Sequence, residues 1–379
     1  MKPLAGIRLA DFTVHNAGPF ATHLLSQLGA EVVKVESAMR PDAFRKPHPV
    51  YGREGPATFD QVASTKLSVR INLKKPEGVA LAKRLVAVSD VAAESFRPGV
   101  IGRLGLGYDA LKAVKRDIVM LSVSSCGQDG PDSHFAGYAP LFGAWGALSD
   151  LTGFADGPPV EMRHVMDHTV GMHSAVAVMA ALQRRRATGE GSYVDVAARE
   201  VASALAGEAL LLAAAGGSPR RMGNAAEGLG PHGVYPAQGE DRWVSIAVRS
   251  EDQRAALRRV TGSQDLSDEA LSAWTRLREA NAAAEELQAA GIAAHASWTT
   301  PEIAADPHLR ARRAIVEVAE PDGTLRAAVG VPMRLSKGAE IGIDRGTPQL
   351  GEHEDYVYGE LLGMGRAERD ALQASEVIY

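Results

Sequence analysis

The chain of 379 residues is long enough for roughly two or three domains with a sizeable hydrophobic core. Hydrophobic residues make up 45% and charged residues 23%, and a net charge of −5 gives no reason to expect a nucleic acid or a membrane surface as partner. A single cysteine, Cys126, excludes a disulfide within the chain and fits the cytoplasm. The N-terminal stretch has no long apolar run, so we expect neither a signal peptide nor a membrane span.

Strand-like and helix-like stretches alternate in the first third of the chain. Apolar and β-branched runs predict strands at 6–12, 31–36, 66–73, 90–96 and 117–125. Helical spacing predicts helices at 18–30, 75–89 and 102–114, and Gly29 marks the end of the first. This order predicts an α/β fold, a Rossmann-like doubly wound parallel sheet with helices on both faces. Ligands of such sheets bind at the loops beyond the carboxyl ends of the strands.

The remaining chain predicts a second, smaller domain. A long helix at about 167–186, a strand at 193–197 and an Ala/Leu-rich helix at about 200–215 precede a glycine-rich break at 213–236. We therefore predict a large α/β domain at 1–215, a smaller α+β domain at 216–310, and a segment at 311–379 that returns to the large domain.

Nucleotide-binding motifs are missing from the sequence. The first strand is not followed by G-x-G-x-x-G, and G-x-x-x-x-G-K-[ST] does not occur. We therefore expect no dinucleotide cofactor and no P-loop nucleotide.

Asp167 stands in the stretch "HVMDHTVGMH" at the start of the long predicted helix. Aspartate is a strong N-cap residue, so the local pattern favours a cap. His164 and His168 have the spacing of a zinc helix, but a helix that begins after His164 would not present both on one face. Metal binding is therefore a weaker interpretation of Asp167 than a helix cap. A third interpretation is that Asp167 is a nucleophilic carboxylate.

Three basic residues follow predicted strand ends: Lys74, Arg97 and Arg103. Such residues are usually solvated surface charges. The alternative is a polyanion at the carboxyl edge of the sheet, for which arginine is suited because it contacts phosphate through two parallel hydrogen bonds. Arg97 in "FRPG" favours this alternative most, because the adjacent proline makes its turn rigid.

A set of landmarks along the chain resembles one enzyme family. They include "PLAGIRLADFT", "AGPFATHLLSQLGAEVVKVE", "SVRINLKKPEG", "ESFRPGVIGRLGLGYDAL", "SVSSCGQDGP", "DHTVGMHSAVAVMAAL", "TGEGSYVDV" and "LGEHEDYV". Together, and in this order, they resemble the family III CoA-transferases, the group that includes formyl-CoA:oxalate and carnitine CoA-transferases. The resemblance covers almost the entire chain.

The resemblance implies a role for Asp167. In this family the aspartate just before the long helix is the nucleophile, which forms an aspartyl–acyl anhydride and then an aspartyl-CoA thioester. The implied partners are an acyl-CoA, a small carboxylic acid and a second copy of the chain in an interlocked homodimer. It implies no metal and no permanently bound cofactor, since coenzyme A arrives as part of the substrate.

The resemblance also implies a set of CoA contacts. They are His15, Asn16, Ala17, Ile71, Asn72, Leu73, Lys74, Ser95, Phe96, Arg97, Arg103 and Tyr138. Asn16 stands where family members often have Gln. Ser37 stands where one family pattern has Arg, and Arg40 is the candidate replacement. The segment 223–230 replaces part of a glycine-rich loop with alanines, which puts a lid role for it in doubt.

Two other functions remain open from the sequence. α-Methylacyl-CoA racemases share the resemblance but use a His/Asp pair, and Tyr138 in "GYAPL" stands where a racemase has histidine. A non-catalytic CoA-ester-binding protein would have lost the nucleophile, whereas Asp167 is present. Arg163, Arg249 and His15 are candidates for a second carboxylate contact, but a structural or surface role is the stronger interpretation. The sequence does not identify the donor or the acceptor acid.

Overall fold

The computed structural model describes residues 1–46, 54–161, 165–226, 228, 230–319 and 323–379, without the side chains of 54–56. The strands are β1 Arg8–Asp11, β2 Glu31–Glu36, β3 Leu67–Arg70, β4 Val91–Glu94, β5 Val119–Ser124, β6 Ser192–Ala197, β7 His232–Pro236, β8 Trp243–Ala247, β9 Ala293–Ala296, β10 Ile315–Ala319 and β11 Leu325–Val329.

The α-helices are α1 Ala17–Gln27, α2 Glu54–Ala63, α3 Pro76–Ala87, α4 Val100–Arg103, α5 Tyr108–Val114, α6 Ala139–Trp145, α7 Leu148–Leu151, α8 Val165–Thr188, α9 Ala198–Leu205, α10 Gly207–Ala214, α11 Glu251–Thr261, α12 Asp268–Thr275, α13 Ala280–Ala289, α14 Thr300–Ala305, α15 Pro307–Ala311 and α16 Arg366–Ala374. A 3-10 turn covers Ala43–Arg45, and a π-helical segment covers Asp355–Leu361.

The chain divides into two compact units. The first consists of Met1–Leu148, Glu161–Leu210 and His308–Tyr379, and the second of Ser149–Val160 and Leu211–Pro307. The second unit thus includes Ser149–Val160, which the predicted boundaries placed in the large domain.

A six-stranded sheet forms the centre of the first unit. Its strands are all parallel and lie in the order β3-β2-β1-β4-β5-β6. Apolar side chains cover both faces, because alternate residues of one strand point to opposite sides: Leu9 packs in one core and Ala10 in the other. The predicted doubly wound α/β fold is confirmed.

The two faces of the sheet are covered by different parts of the chain. On one side lie residues of α1, α6, α8 and α9, and on the other lie residues of α3 and α5. The second side also takes residues from the end of the chain, including Val357, Tyr358 and Ile378. Among the residues that the structure describes, one helix, α8, is long and apolar enough by length and composition to cross a membrane, a test that core helices also pass. Its buried residues, among them Val170 and Val178, belong to the core on the α1 side of the sheet.

The second unit has its own small core. Strands β7, β8 and β9 form an antiparallel sheet, and residues of α11, α12 and α13 pack with it around Val244, Ile246, Leu257 and Leu287. In the first unit, β10 and β11 pair as an antiparallel hairpin.

Candidate active site

The loops after β1 and β4 meet where the strand order of the sheet reverses. In a sheet ordered 3-2-1-4-5-6 this is the position at which ligands bind. The Ser95 hydroxyl accepts from the Val14 backbone N–H at 2.9 Å and lies 3.0 Å from the Val14 carbonyl oxygen, to which it donates. We call the space beyond residues 12–16 and 95–99 the switch-point crevice.

Close approach in this region depends on Gly18, at the start of α1. A Cβ atom at Gly18 would lie 2.9 Å from the Thr13 side chain and 3.0 Å from Cβ of Ser95. Any larger residue would therefore force the two loops apart.

Asp167 lies in the first turn of α8 and is linked to the loop after β1. The Asn16 side chain, which is buried, hydrogen-bonds the Asp167 carboxyl group. Burial nevertheless raises the pKa of Asp167 from 3.8 to about 6, with the hydrogen bond from Asn16 opposing and the charge of Glu161 assisting the shift. Asp167 is thus a partly desolvated carboxylate that is ionised at neutral pH, a state suited to nucleophilic attack.

The interpretation of Asp167 as the N-cap is wrong. The helix already includes Val165, so Asp167 is the third helical residue that the structure describes. A carboxylate there still interacts favourably with the amino-terminal end of the helix dipole. His164 and Arg163 lie outside the described residues. Among the residues that the structure does describe, no group of His, Cys, Asp and Glu side chains is arranged to hold a metal ion.

The helix that carries Asp167 packs tightly against α1. A Cβ atom at Gly171 would lie 2.8 Å from the Phe20 ring, 2.9 Å from the Ala17 carbonyl oxygen and 3.1 Å from the Ala21 nitrogen. Gly171 stands one helical turn after Asp167, so this contact brings the start of α1, and Asn16 before it, close to the carboxylate.

Aromatic rings border the loop after β1. His15 has a positive φ of 67° and lies 5.8 Å from the ring of Tyr138 and 6.3 Å from that of Phe44, edge to face in both cases. Tyr138 is mostly exposed. The structure therefore brings together His15, Asn16, Ser95, Tyr138 and Asp167, which the family resemblance had assigned to one site.

The candidate phosphate ligands are exposed. Lys74 follows β3, and Arg97 and Arg103 lie in and beyond the loop after β4. Within the described part of the chain, none of these three side chains makes an ion pair or hydrogen bond with a protein group. Arg40, the candidate replacement for the missing arginine at Ser37, is also exposed.

The segment Ile71–Lys74 is held by other parts of the first unit. Ile71 is buried, and its N–H donates to the Glu36 carbonyl oxygen at 2.8 Å. The Asn72 backbone N–H donates to the Val377 carbonyl oxygen at 2.8 Å, and the Asn72 side-chain amide donates to the Glu376 backbone carbonyl oxygen at 3.2 Å. Leu73 and Phe96 are partly buried against the same core. Of this segment, only Lys74 extends an exposed side chain.

Two other candidates belong to the second unit. Arg249 is exposed, and its backbone N–H donates to the Gln253 side chain at 3.0 Å. Within 223–230, residues 227 and 229 lie outside the described residues. Gly223 donates to the Gly153 carbonyl oxygen at 2.9 Å in the same unit.

Buried charges below the crevice were not identified from the sequence. Lys66 pairs with Asp11 at 3.0 Å, and both side chains are fully buried. The Lys66 ammonium also donates to the Pro19 carbonyl oxygen at 2.9 Å and to the Thr22 hydroxyl at 2.7 Å, so each of its N–H groups has an acceptor. Burial alone would raise the pKa of Asp11, but the charges of Lys66 and Lys34 outweigh it and keep the pKa below 3.8.

A second buried carboxylate, Glu94, ends β4 and supports the loop that follows it. It accepts from the Phe96 backbone N–H at 2.7 Å. Burial raises the pKa of Glu94 from 4.5 to about 7, against hydrogen bonds from Ser122 and Phe96 and with help from the charge of Asp195. Its charged form is therefore disfavoured in the folded protein.

Glu94→Gln is expected to change how stability depends on pH. Because the folded-state pKa of Glu94 is raised, the native protein binds more protons than the unfolded chain between pH 4.5 and about 7, and wild-type stability falls as the pH rises through this window. The neutral variant lacks this loss, so its free energy of unfolding should exceed that of wild type by about 1–3 kcal/mol at pH 8 and by much less at pH 5. Urea unfolding at both pH values measures the difference. An equal difference at both would contradict the assignment.

Comparison with known proteins gives this site its class. The family model of CoA-transferase family III matches residues 4–354. The chain is 32% identical to succinyl-CoA–D-citramalate CoA-transferase of Chloroflexus aurantiacus, over 100% of this chain and 98% of the relative. It is 30% identical to formyl-CoA:oxalate CoA-transferase of Streptomyces avermitilis, over 100% of both. A crystal structure of a CAIB/BAIF family protein from Brucella suis aligns with a TM-score of 0.85 at 29% identity and covers 95% of this chain and 99% of that chain.

The sheet order and the crevice define a doubly wound α/β protein with a carboxylate-bearing site at the switch point. The chain belongs to CoA-transferase family III, which confirms the resemblance found in the sequence. It is therefore an enzyme of the CoA-transferase class.

Proposed function

We propose that this enzyme moves CoA from an acyl-CoA donor to a carboxylic acid acceptor through covalent intermediates on Asp167. The observation that carries the proposal is the position of Asp167. Its carboxylate is desolvated, hydrogen-bonded by Asn16, and linked through that residue to the loop at the switch point of the sheet. A carboxylate nucleophile divides acyl exchange into easier covalent steps.

The proposed reaction needs no proton transfer and no cofactor. Asp167 attacks the thioester carbonyl of the donor, the C–S bond breaks, and a mixed anhydride and CoA thiolate form. The thiolate attacks the aspartyl carbonyl, which releases the donor acid and leaves an aspartyl-CoA thioester. The acceptor carboxylate then attacks this thioester, its C–S bond breaks, and a second anhydride and CoA thiolate form. The thiolate finally attacks the acceptor carbonyl, which yields the new acyl-CoA and restores Asp167.

We propose a dicarboxylic acid as the acceptor. The names of the two relatives described above contain D-citramalate and oxalate, which are both dicarboxylic acids. The test is incubation with succinyl-CoA or formyl-CoA and a panel of mono- and dicarboxylic acids, with the product CoA esters followed by mass spectrometry. Donor-dependent product confined to dicarboxylic acids supports the proposal. Deuterium exchange at the α-carbon without any acceptor acid would instead indicate a racemase. Binding of acyl-CoA without any product would indicate a non-catalytic protein.

Arg97 and Arg103 are proposed to contact the phosphates of CoA. Both are exposed, and in the described part of the chain neither has a protein partner. Because a charge-assisted hydrogen bond contributes about 1.5–3 kcal/mol, Arg97→Ala or Arg103→Ala should raise the dissociation constant for acyl-CoA about tenfold or more. Isothermal titration at matched salt measures this. Arg84→Ala, which removes a surface arginine paired with Glu368, is the control. Unchanged affinity in both the Arg97→Ala and Arg103→Ala variants would contradict the assignment.

We further propose a homodimer, interlocked as the family resemblance implies, in the cytoplasm. Exposed apolar side chains on helices of the first unit support association through that unit: Met172, Val176, Leu205 and Leu210. Light scattering should give twice the mass of one chain at micromolar concentration. A stable monomer would contradict this proposal.

A further inference from the structure

The short segment Thr13–Asn16 is held by buried charges below the crevice. The Asp11 carboxylate accepts from the Thr13 backbone N–H at 3.0 Å and from its hydroxyl at 2.5 Å. On the carboxyl side of the same residue, the Lys34 ammonium donates to the Thr13 carbonyl oxygen at 2.9 Å. Thr13 is thus bound through its donor groups and its acceptor at once.

The groups that hold Thr13 are themselves fixed. The second oxygen of Asp11 accepts from Lys66 at 3.0 Å and from the Thr22 hydroxyl at 2.8 Å. Lys34 lies 3.5 Å from the Asp42 carboxylate, and both of these side chains are buried. With this many partners, neither Asp11 nor Lys34 can turn away from Thr13 without leaving a buried charge unpaired.

We infer that Asp11, Lys34 and Lys66 are positioning residues for the nucleophile, acting through the Thr13–Asn16 segment on the Asn16 amide that binds Asp167. The inference rests on the proposed function, because it assigns these residues to the reaction of Asp167. They do not touch the substrate.

A purely stabilising role explains the cluster of Asp11, Lys34 and Lys66 less well than a positioning role does. Buried ion pairs commonly stabilise a fold no better than well-packed apolar side chains of similar volume, because desolvation offsets their attraction. What the charges add here is geometry, since apolar side chains could not hold the N–H, hydroxyl and carbonyl groups of one residue. The position of Thr13 matters because Asn16 is only three residues further along, and Val14 between them is bound by Ser95.

The test measures coupling between the cluster and Asn16. Thr13→Val keeps the shape of the side chain and removes its bond to Asp11. Ser26→Ala is the matched control, because it removes another buried hydroxyl bond, from Ser26 to the His23 carbonyl oxygen at 2.7 Å. Each substitution is made in wild type and in Asn16→Ala. The readout is the single-turnover rate of covalent adduct formation on Asp167 with saturating succinyl-CoA or, if it is not a donor, the acyl-CoA that gives transfer.

Small displacements of a reacting group reduce rates strongly, so Thr13→Val should slow adduct formation about tenfold in the wild-type background. In the Asn16→Ala background the same substitution should have less than about a twofold effect, because the amide through which it acts is gone. Ser26→Ala should leave the rate unchanged in both backgrounds, and within each background neither Thr13→Val nor Ser26→Ala should change the acyl-CoA affinity.

Lys34→Met is a second, independent variant, because it removes the bond to the Thr13 carbonyl oxygen. It should also slow adduct formation in the wild-type background and have little effect in the Asn16→Ala background. The inference would be overturned if these substitutions reduced the rate of adduct formation equally in the two backgrounds, or if neither Thr13→Val nor Lys34→Met reduced it in wild type. The proposed function fails separately, if wild type forms no adduct on Asp167 with any donor.

Discussion

The Asp167→Asn variant is expected to fold and to lose nearly all CoA transfer. A neutral amide cannot attack the thioester to form the anhydride, so no covalent adduct should accumulate with donor acyl-CoA. In wild type, hydroxylamine or borohydride should trap an adduct on the peptide that contains Asp167, and mass spectrometry locates it. An active Asp167→Asn variant without an adduct would exclude the nucleophile and the proposed mechanism with it.

The same variant should be at least as stable as wild type above pH 6. The pKa of Asp167 is raised from 3.8 to about 6 because the charged form is desolvated. The folded protein therefore binds more protons than the unfolded chain between these values, and stability falls as the pH rises through them. Removing the charge avoids this loss of up to about 3 kcal/mol at pH 7 and above. Adduct formation in wild type should for the same reason fall as the pH is lowered through about 6.

Glu200→Gln is the matched control for these measurements. Glu200 is an exposed acid in the first turn of α9, so its substitution also removes a carboxylate from the amino-terminal end of a helix. We expect it to keep transfer activity and to change the free energy of unfolding only slightly, by about 0.3–1 kcal/mol. A similar loss of activity in both variants would indicate a general effect on the fold.

Lys66→Met is expected to destabilise the first unit strongly. It removes the ion-pair partner of the fully buried Asp11 carboxylate and the donors to Pro19 and Thr22, leaving only the more distant charge of Lys34. Breaking one side of a buried ion pair costs about 3–5 kcal/mol. Urea unfolding at pH 7 measures the loss. The deficit should shrink as the pH falls, because the carboxyl group can then be neutral in the folded variant, whereas in wild type the lowered pKa of Asp11 favours the charged form.

Lys75→Met provides the control for Lys66→Met, with the same change of side chain at a surface ion pair. Lys75 lies 3.7 Å from the Glu376 carboxylate, and both are substantially exposed. Such pairs contribute about 0–1 kcal/mol, so the control should lose far less stability. Similar losses of unfolding free energy in the two variants would show that burial of the Asp11–Lys66 pair contributes little to stability.

The sheet could be predicted because its strands are encoded locally. Fully buried parallel strands appear as β-branched runs, and the predicted 31–36 has the bounds of β2. The end of α1 follows from Gly29, which has a φ of 106°. The single helix predicted at about 200–215 is two helices, α9 and α10, which meet at Ala206. Gly207 stands at that break as the first residue of α10, so the sequence did carry a signal there.

The buried charges could not be predicted for a different reason. Lys34 interrupts "EVVKVE" as a solvated residue of a strand would, and only the packing around it shows that it is buried. Its partners Thr13 and Asp42 are brought to it by loops, whose paths depend on tertiary contacts. Family resemblance indicated Asp167 and Asn16, whereas the residues that hold Asn16 in place follow only from the coordinates.

The tight contact between α1 and α8 has a consequence for mutational tolerance. Gly171 and Gly18 carry no side chain, yet each occupies a place where a single added carbon would meet its neighbours within 3 Å. A library selected for growth on the reaction product should therefore conserve both positions as strictly as the proposed nucleophile, Asp167. Redesign of this scaffold therefore has its freedom in exposed side chains, and almost none at the two glycines.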